Sequence, residues 1–182
     1  LTLSQSLQLL ENSRKTHFFT VTPELFSRIA YRGESGGILA VIPYLDTRLS
    51  RFPVTNNPYL TVIEGVEKPG NLGAILRTAD AAGVDGVIVT AGATDIHNPN
   101  VVRASLGTLF SVPVAEAPLP ETIAFLRQNR IQIVAADPEG SKRYTALDLR
   151  QPTAIVMGSE AFGLSNEMRN AADHLVSIPM HG

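Results

Sequence analysis

Residues 59–83, YLTVIEGVEKPGNLGAILRTADAAG, limit the possible folds more than any other stretch of the chain. Tyr59 to Glu64 is a run of apolar and β-branched residues and predicts a short buried strand. Gly65 and Pro69-Gly70 punctuate it. Asn71 stands where a helix N-cap is expected, because its side chain can accept from the free amides of a first turn. Leu72, Ile75, Leu76, Ala79 and Ala82 then recur at helical spacing as one apolar stripe. Gly83 closes the helix at the C-terminal position that tolerates positive φ. A strand, a glycine-containing turn and a helix start make a place where backbone can approach a ligand closely.

Two nucleotide loops fail here. Gly65 and Gly70 have the spacing of a phosphate-binding P-loop, but Asn71-Leu72 replaces the required Lys-Ser or Lys-Thr. With the lysine and the magnesium ligand both missing, nucleoside triphosphate hydrolysis is excluded. Gly70-Asn71-Leu72-Gly73 also breaks the G-x-G-x-x-G dinucleotide pattern, which weakens an oxidoreductase reading.

From Tyr59 onward strand and helix patterns alternate. Strands are predicted at 86–91, 111–115, 131–136, 153–157 and 174–178. Helices are predicted at 99–106, 119–129 and 165–172, the last capped by Ser165. This alternation predicts an α/β fold with a parallel sheet and helices on both faces. Ahead of it, residues 1–45 read as part of a small α/β domain. It comprises a helix over 1–12, a strand over 17–22, a helix opened by Thr22-Pro23, a turn at 32–37 and a buried strand over 38–44. Residues 46–58, with Pro53, Asn56, Asn57 and Pro58, read as a linker. Residues 59–182 form the main domain. Ligands in such sheets lie beyond the carboxyl ends of the strands, and 65–70, 136–141, 158–165 and 179–182 all fall there.

Hydrophobic residues make up 44% of the chain and charged residues 18%, as in a soluble globular protein. No apolar run is long enough to span a bilayer as a helix. There is no cysteine, so no disulfide or thiolate metal site, a composition that suits the cytoplasm. The four histidines lack metal-ligand spacing, and no metal is assigned. Net charge is −2: the first 51 residues carry a net +2 and the remainder a net −4. A polyanion would be gripped by local clusters rather than by the whole surface. The chain starts at Leu1 and stops in a turn after a strand, which reads as an incomplete view of a longer protein.

Three segments together resemble one known family. Residues 71–79, NLGAILRTA, match motif 1 of the SpoU/TrmH family of RNA ribose methyltransferases. Residues 157–165, MGSEAFGLS, resemble its motif 2, and residues 177–182, SIPMHG, the opening of its motif 3. Order and spacing agree over 59–182, and residues 22–44 resemble the end of the family's small N-terminal RNA-binding domain. The resemblance implies a SPOUT-type α/β trefoil-knot fold, S-adenosylmethionine as methyl donor and a homodimer. It also implies methylation of a ribose 2′-hydroxyl in ribosomal or transfer RNA, with ribosomal RNA favoured. A catalytically inactive RNA-binding relative of the same fold is the alternative. In the family motif 3 continues into Ser-Leu-Asn, which lies outside these 182 residues, so full activity is not expected of a chain ending at Gly182.

The resemblance also assigns roles. By the resemblance Arg77 becomes the base that takes the 2′-hydroxyl proton once a substrate phosphate has engaged it. A guanidinium is a poor base, and phosphate clamping and charge stabilisation are its easier roles. Asn71, besides capping a helix, orients Arg77 or the ribose. Glu160 places a carboxylate toward the catalytic pocket, where it pairs with arginine or fixes the substrate. Gly158, Gly163, Ile178 and Met180 hold the cofactor, and Ala136 lines the same pocket. Arg103 is a candidate RNA contact that could equally be a solvated helix charge; Arg48, Arg51, Lys142 and Arg143 are candidates too, although charge pairs of this kind are usually just solvated.

Overall fold

The structure, a computed structural model, describes residues 17–31, 36–92 and 94–179. The chain divides into two units, Leu1–Pro43 and Tyr44–Gly182.

In the first unit a single helix is described, α1 (Pro23–Ile29), with Thr22 as its N-cap: the threonine hydroxyl accepts from the Leu25 amide at 3.3 Å. The helix expected over 1–12 lies outside the described residues. Residues 17–22 and 38–44 form no strand, contrary to their β-branched composition. An apolar run becomes a strand only when a neighbouring strand takes up its backbone bonds, and none does so among the described residues. Val41 is accordingly 93% exposed.

The second unit is built on seven strands: β1 (Tyr59–Glu64), β2 (Gly86–Thr90), β3 (Val114–Glu116), β4 (Gln132–Ala136), β5 (Lys142–Arg143), β6 (Thr153–Met157) and β7 (His174–Ser177). They form one sheet in the order β3-β2-β1-β6-β4-β7-β5, and every pairing is parallel. Four helices cover it: α2 (Pro69–Ala82), α3 (Pro99–Ala104), α4 (Leu119–Gln128) and α5 (Asn166–Ala171).

Strand alternation sorts the core into two layers. Leu60, Val62 and Ile88 point to one face and pack with Leu119 and Leu126 of α4 and Met168 of α5. Ile63, Val87 and Val89 point to the other and pack with Leu72, Leu76 and Ala79 of α2 and Val101 of α3. Each fully buried leucine of that stripe contributes about 1.5–3 kcal/mol. Helices therefore lie on both faces of the sheet, as the periodicity predicts. α2 and α3 approach closely at Gly73, where a Cβ would fall 2.4 Å from the Cβ of Ala104.

Residues 46–58 are folded onto this unit rather than strung between units. Arg48 bridges in parallel to Glu116 of β3. Phe52, 9% exposed, joins the core and meets Phe125 edge-on at 6.0 Å. The prolines and asparagines that suggested a linker mark turns on either side of this anchor. A second difference concerns α2. Its N-cap is Lys68, in extended conformation, with Pro69 as the first helical residue. Proline's fixed φ suits that first position, so the helix starts two residues before Asn71, and Asn71 is not the cap. Gly83 does close α2, with φ 66°. The edge strand β5 was not foreseen, since two charged residues carry no strand signal.

Candidate functional site

The carboxyl ends of β1, β6, β4 and β7 are neighbours in the sheet, and the glycine-rich segments leave from them. β1 runs through Gly65 into α2. Beside it, β6 runs into the loop 158–165, whose backbone is closed by two 3.0 Å bonds between Ser159 and Gly163. Gly158 packs flat on that loop: a Cβ there would fall 2.2 Å from the carbonyl carbon of Gly163. Gly163 itself is required by its φ of 67°. The Ser159 hydroxyl accepts from the Phe162 amide at 3.0 Å, which fixes the loop tip.

Because Asn71 is not needed as a cap, its amide is available for another partner. Its Nδ2 donates to Oε1 of Glu160. The other carboxylate oxygen, Oε2, lies 3.3 Å from Nζ of Lys68. The family resemblance predicts that Glu160 pairs with arginine or holds substrate; in the structure lysine is its cationic partner. Thus motif-1 helix and motif-2 loop are joined by one exposed carboxylate held between an amide and an ammonium.

A second link was not foreseen. Glu64, at the last position of β1 and 5% exposed, accepts from the Ser165 amide at 3.1 Å. Ser165 in turn caps α5, its hydroxyl accepting from the Met168 amide at 3.1 Å. A carboxylate at a helix start also meets the positive end of the helix dipole. An acid ending an otherwise apolar strand was the available signal.

Arg77 lies six residues along α2 from Asn71, short of two full turns, and is exposed. Across from it is Arg103, in the last turn of α3. Both line a groove of about 580 Å³ with Pro69, Gly70, Asn100, Ala104 and Leu106. Neither arginine forms an ion pair among the described residues. The close packing of α2 on α3 at Gly73 and Ala104 sets the width of this groove.

The remaining basic candidates are not brought together. Arg48 is committed to Asp46 through Nε (2.7 Å) and Nη2 (2.5 Å). That hydrogen-bonded guanidinium holds the Asp46 carboxyl at about 2. Arg51 is exposed on the short 3-10 turn Leu49–Arg51. Lys142 and Arg143 form β5, at the sheet edge opposite β3. Six strand spacings of about 4.8 Å separate those edges by roughly 29 Å.

On the other side of the catalytic candidates, β4 lies between β6 and β7. Ala136 ends β4, pairing in register with Val176. Met157 and Ile178 stay exposed at the ends of the flanking strands. A small residue between two exposed apolar ones, beside strand-end backbone groups, is a surface suited to a flat apolar ring with polar edges. Met180 lies outside the described residues. Among the described residues no group of three or more acidic or histidine side chains could hold a metal ion, and no helix is long and apolar enough to cross a membrane.

Solved structures share this architecture. A crystal structure of the SpoU methyltransferase AviRb from Streptomyces viridochromogenes, in complex with the cofactor AdoMet, superposes with a TM-score of 0.86 at 33% identity, over 100% of this chain and 71% of that one. An AdoMet-bound rRNA methyltransferase from Sinorhizobium meliloti gives a TM-score of 0.66 at 37% identity, over 69% and 48% of the two chains. The fold is of the SPOUT-type α/β class. Residues 58–182 match the model of the SpoU rRNA Methylase family, and the chain belongs to that family. It is 34% identical to the 23S rRNA (uridine(2479)-2′-O)-methyltransferase of S. viridochromogenes, over 99% of this chain and 65% of the relative. It is 40% identical to the 23S rRNA (guanosine-2′-O-)-methyltransferase RlmB of Pseudomonas aeruginosa, over 69% and 51%. The chain thus spans less than two thirds of the length of these two curated relatives.

Proposed function

We propose that the protein is an S-adenosylmethionine-dependent methyltransferase acting on a ribose 2′-hydroxyl of ribosomal RNA. The observation that carries this reading is the Asn71–Glu160 hydrogen bond. It joins motifs 1 and 2 at the end of α2 from which the Arg77–Arg103 groove runs. The relatives' names and the AdoMet-bound neighbours support it.

Bound S-adenosylmethionine would supply a methyl group on a sulfonium sulfur, transferred in one displacement to the ribose oxygen. Met157, Ala136, Gly158 and Ile178 are the residues that would hold it, with Gly163 shaping the loop and Met180 following Ile178 in sequence. Arg77 and Arg103 grip RNA phosphate, which positions the strand without reading its sequence. Arg77 also stabilises the negative charge that develops as the hydroxyl loses its proton. Glu160, held by Asn71 and Lys68, fixes the ribose beside it. Alignment of this kind supplies a large part of the rate gain in a one-step transfer. Arg51, Lys142 and Arg143 are outlying RNA contacts, and Arg48 contributes less because Asp46 neutralises it. The protein acts in the cytoplasm as a homodimer. Phe162, 83% exposed at the tip of loop 158–165, is an apolar side chain that a second copy would cover. Residues 1–45 serve as an RNA-binding unit.

The test is incubation of the purified protein with ribosomal RNA and methyl-labelled S-adenosylmethionine, followed by mass spectrometry of the nucleosides. Label in a 2′-O-methyl nucleoside is the expected result. RNA binding with no transfer would instead identify the inactive relative.

A further inference from the structure

We propose that Arg169 is a positioning residue for the cofactor side of the site, holding the loop after β4 against the end of β7. The functional part of this inference rests on the methyltransferase reading above. Neither Arg169 nor Asp137 belongs to the three motifs.

Arg169 sits in the last turn of α5. Its Nη2 is 3.0 Å from Oδ2 of Asp137, whose side chain is 1% exposed. Its Nη1 is 3.5 Å from Oε2 of Glu139, which is 86% exposed. The Asp137 contact decides, because exposed pairs contribute little, whereas a buried carboxylate needs a compensating charge. Oδ2 has no aligned hydrogen bond, so the guanidinium is held there by charge, and no other cation pairs with Asp137 among the described residues.

Asp137 organises the loop. Its Oδ1 accepts from the Glu139 amide at 2.9 Å. Its amide donates to the Val176 carbonyl, and its carbonyl accepts from the Gly140 amide, both at 2.9 Å. Gly140 then lies flush on β7: a Cβ there would fall 2.4 Å from the carbonyl carbon of Val176 and 2.7 Å from the Ser177 nitrogen. Ile178 follows directly. α5 is itself anchored at Ser165, the last residue of motif 2. One guanidinium therefore ties together the exit of β4, the helix that follows motif 2 and the strand that enters motif 3. Without it, Asp137 is left as a buried, uncompensated charge, and a loop that lifts from β7 would admit water to it. That movement alters the cofactor side and leaves the Arg77–Arg103 groove in place.

The experiment compares wild type with Arg169→Met, Arg169→Lys and the double variant Arg169→Met/Asp137→Asn, all below their melting temperatures. Three quantities are measured: hydrogen exchange of the 137–143 peptide without cofactor, S-adenosylmethionine affinity by calorimetry, and RNA affinity by fluorescence anisotropy. Arg169→Met is expected to raise exchange and to weaken S-adenosylmethionine binding about tenfold or more, with RNA affinity within about twofold of wild type, a spread that additivity of distant sites allows. Arg169→Lys restores part of the loss by returning the charge, and Asp137→Asn restores part by removing the need for it. Unchanged exchange in Arg169→Met overturns the tie. Raised exchange with unchanged cofactor affinity, or parallel loss of both affinities, overturns its role at the cofactor side. If wild type itself binds no S-adenosylmethionine, the methyltransferase reading and the positioning role fall together, while the exchange data still decide whether the tie exists.

Discussion

The carboxylate of Glu64 accepts a hydrogen bond from the backbone amide of Ser165 at 3.1 Å, joining the end of β1 to the start of α5 across 101 residues of sequence. Glu64 is buried, so its charge is stabilised by that amide and by the helix start behind it. Glu64→Ala leaves the Ser165 amide without this partner, and the expected cost is about 1–3 kcal/mol of unfolding free energy. Glu64→Gln keeps an acceptor oxygen and should cost less. Urea denaturation of the two variants measures both; equal stability of Glu64→Ala and wild type would contradict the assigned bond.

Asn71 and Glu160 meet at the surface, where an exposed pair adds at most about 1 kcal/mol to stability. Asn71→Ala and Glu160→Gln should therefore melt close to wild type while methyl transfer drops about tenfold or more, because alignment is lost. Steady-state kinetics beside thermal melting separates the two effects. A melting loss that accounts for the activity loss would make the bond structural.

Arg77 and Arg103 face one groove without ion-pair partners among the described residues. If each contacts a phosphate, removing one should lower the slope of log affinity against log salt by about 0.7. Arg77→Ala and Arg103→Ala, titrated with RNA at several salt concentrations, test this. Arg48→Ala serves as control and should change the slope less, since Asp46 already binds that guanidinium.

Gly73 sets how closely α2 approaches α3. A Cβ placed there would overlap Ala104, so Gly73→Ala forces the helices apart at a cost of about 1–3 kcal/mol. The groove between Arg77 and Arg103 should widen with them, and RNA affinity should fall although neither arginine has changed. Denaturation and RNA titration of this single variant read both consequences.

Asp173 links stability to pH. Burial acts to raise its pKa, but the Ile133 amide at 2.8 Å and the Arg127 guanidinium at 2.6 Å outweigh it and hold the carboxyl below its ordinary value. A carboxylate depressed on folding stabilises the fold above its unfolded pKa of about 3.9, and that contribution is lost as pH falls through the folded value. Asp173→Asn should be less stable than wild type by about 1 kcal/mol at neutral pH, and the difference should shrink below about pH 4. Denaturation midpoints across that range check the sign.

Much of this molecule was legible in the chain itself. The stripe Leu72, Ile75, Leu76, Ala79 and the terminal Gly83 specified α2 by periodicity. Thr153 to Met157 specified β6, and Ser165 specified the start of α5, because these signals depend only on near neighbours along the chain. Even the three motif segments were readable as short strings. Which strand lies beside which was not, since sheet order joins residues far apart in sequence. The two strands expected over 17–22 and 38–44 failed for the same reason: a strand needs a partner that its own residues do not encode. Local rules, which see only the next turn, predict Asn71 as a cap. The fold instead starts the helix at Pro69 and gives the Asn71 amide to Glu160, 89 residues on. Glu64 with Ser165, and Arg169 with Asp137, are pairings of the same kind. Local propensity determined the elements; only the packing of distant segments decided which polar groups meet, because a buried or clustered polar group takes whatever partner the fold brings within hydrogen-bonding reach.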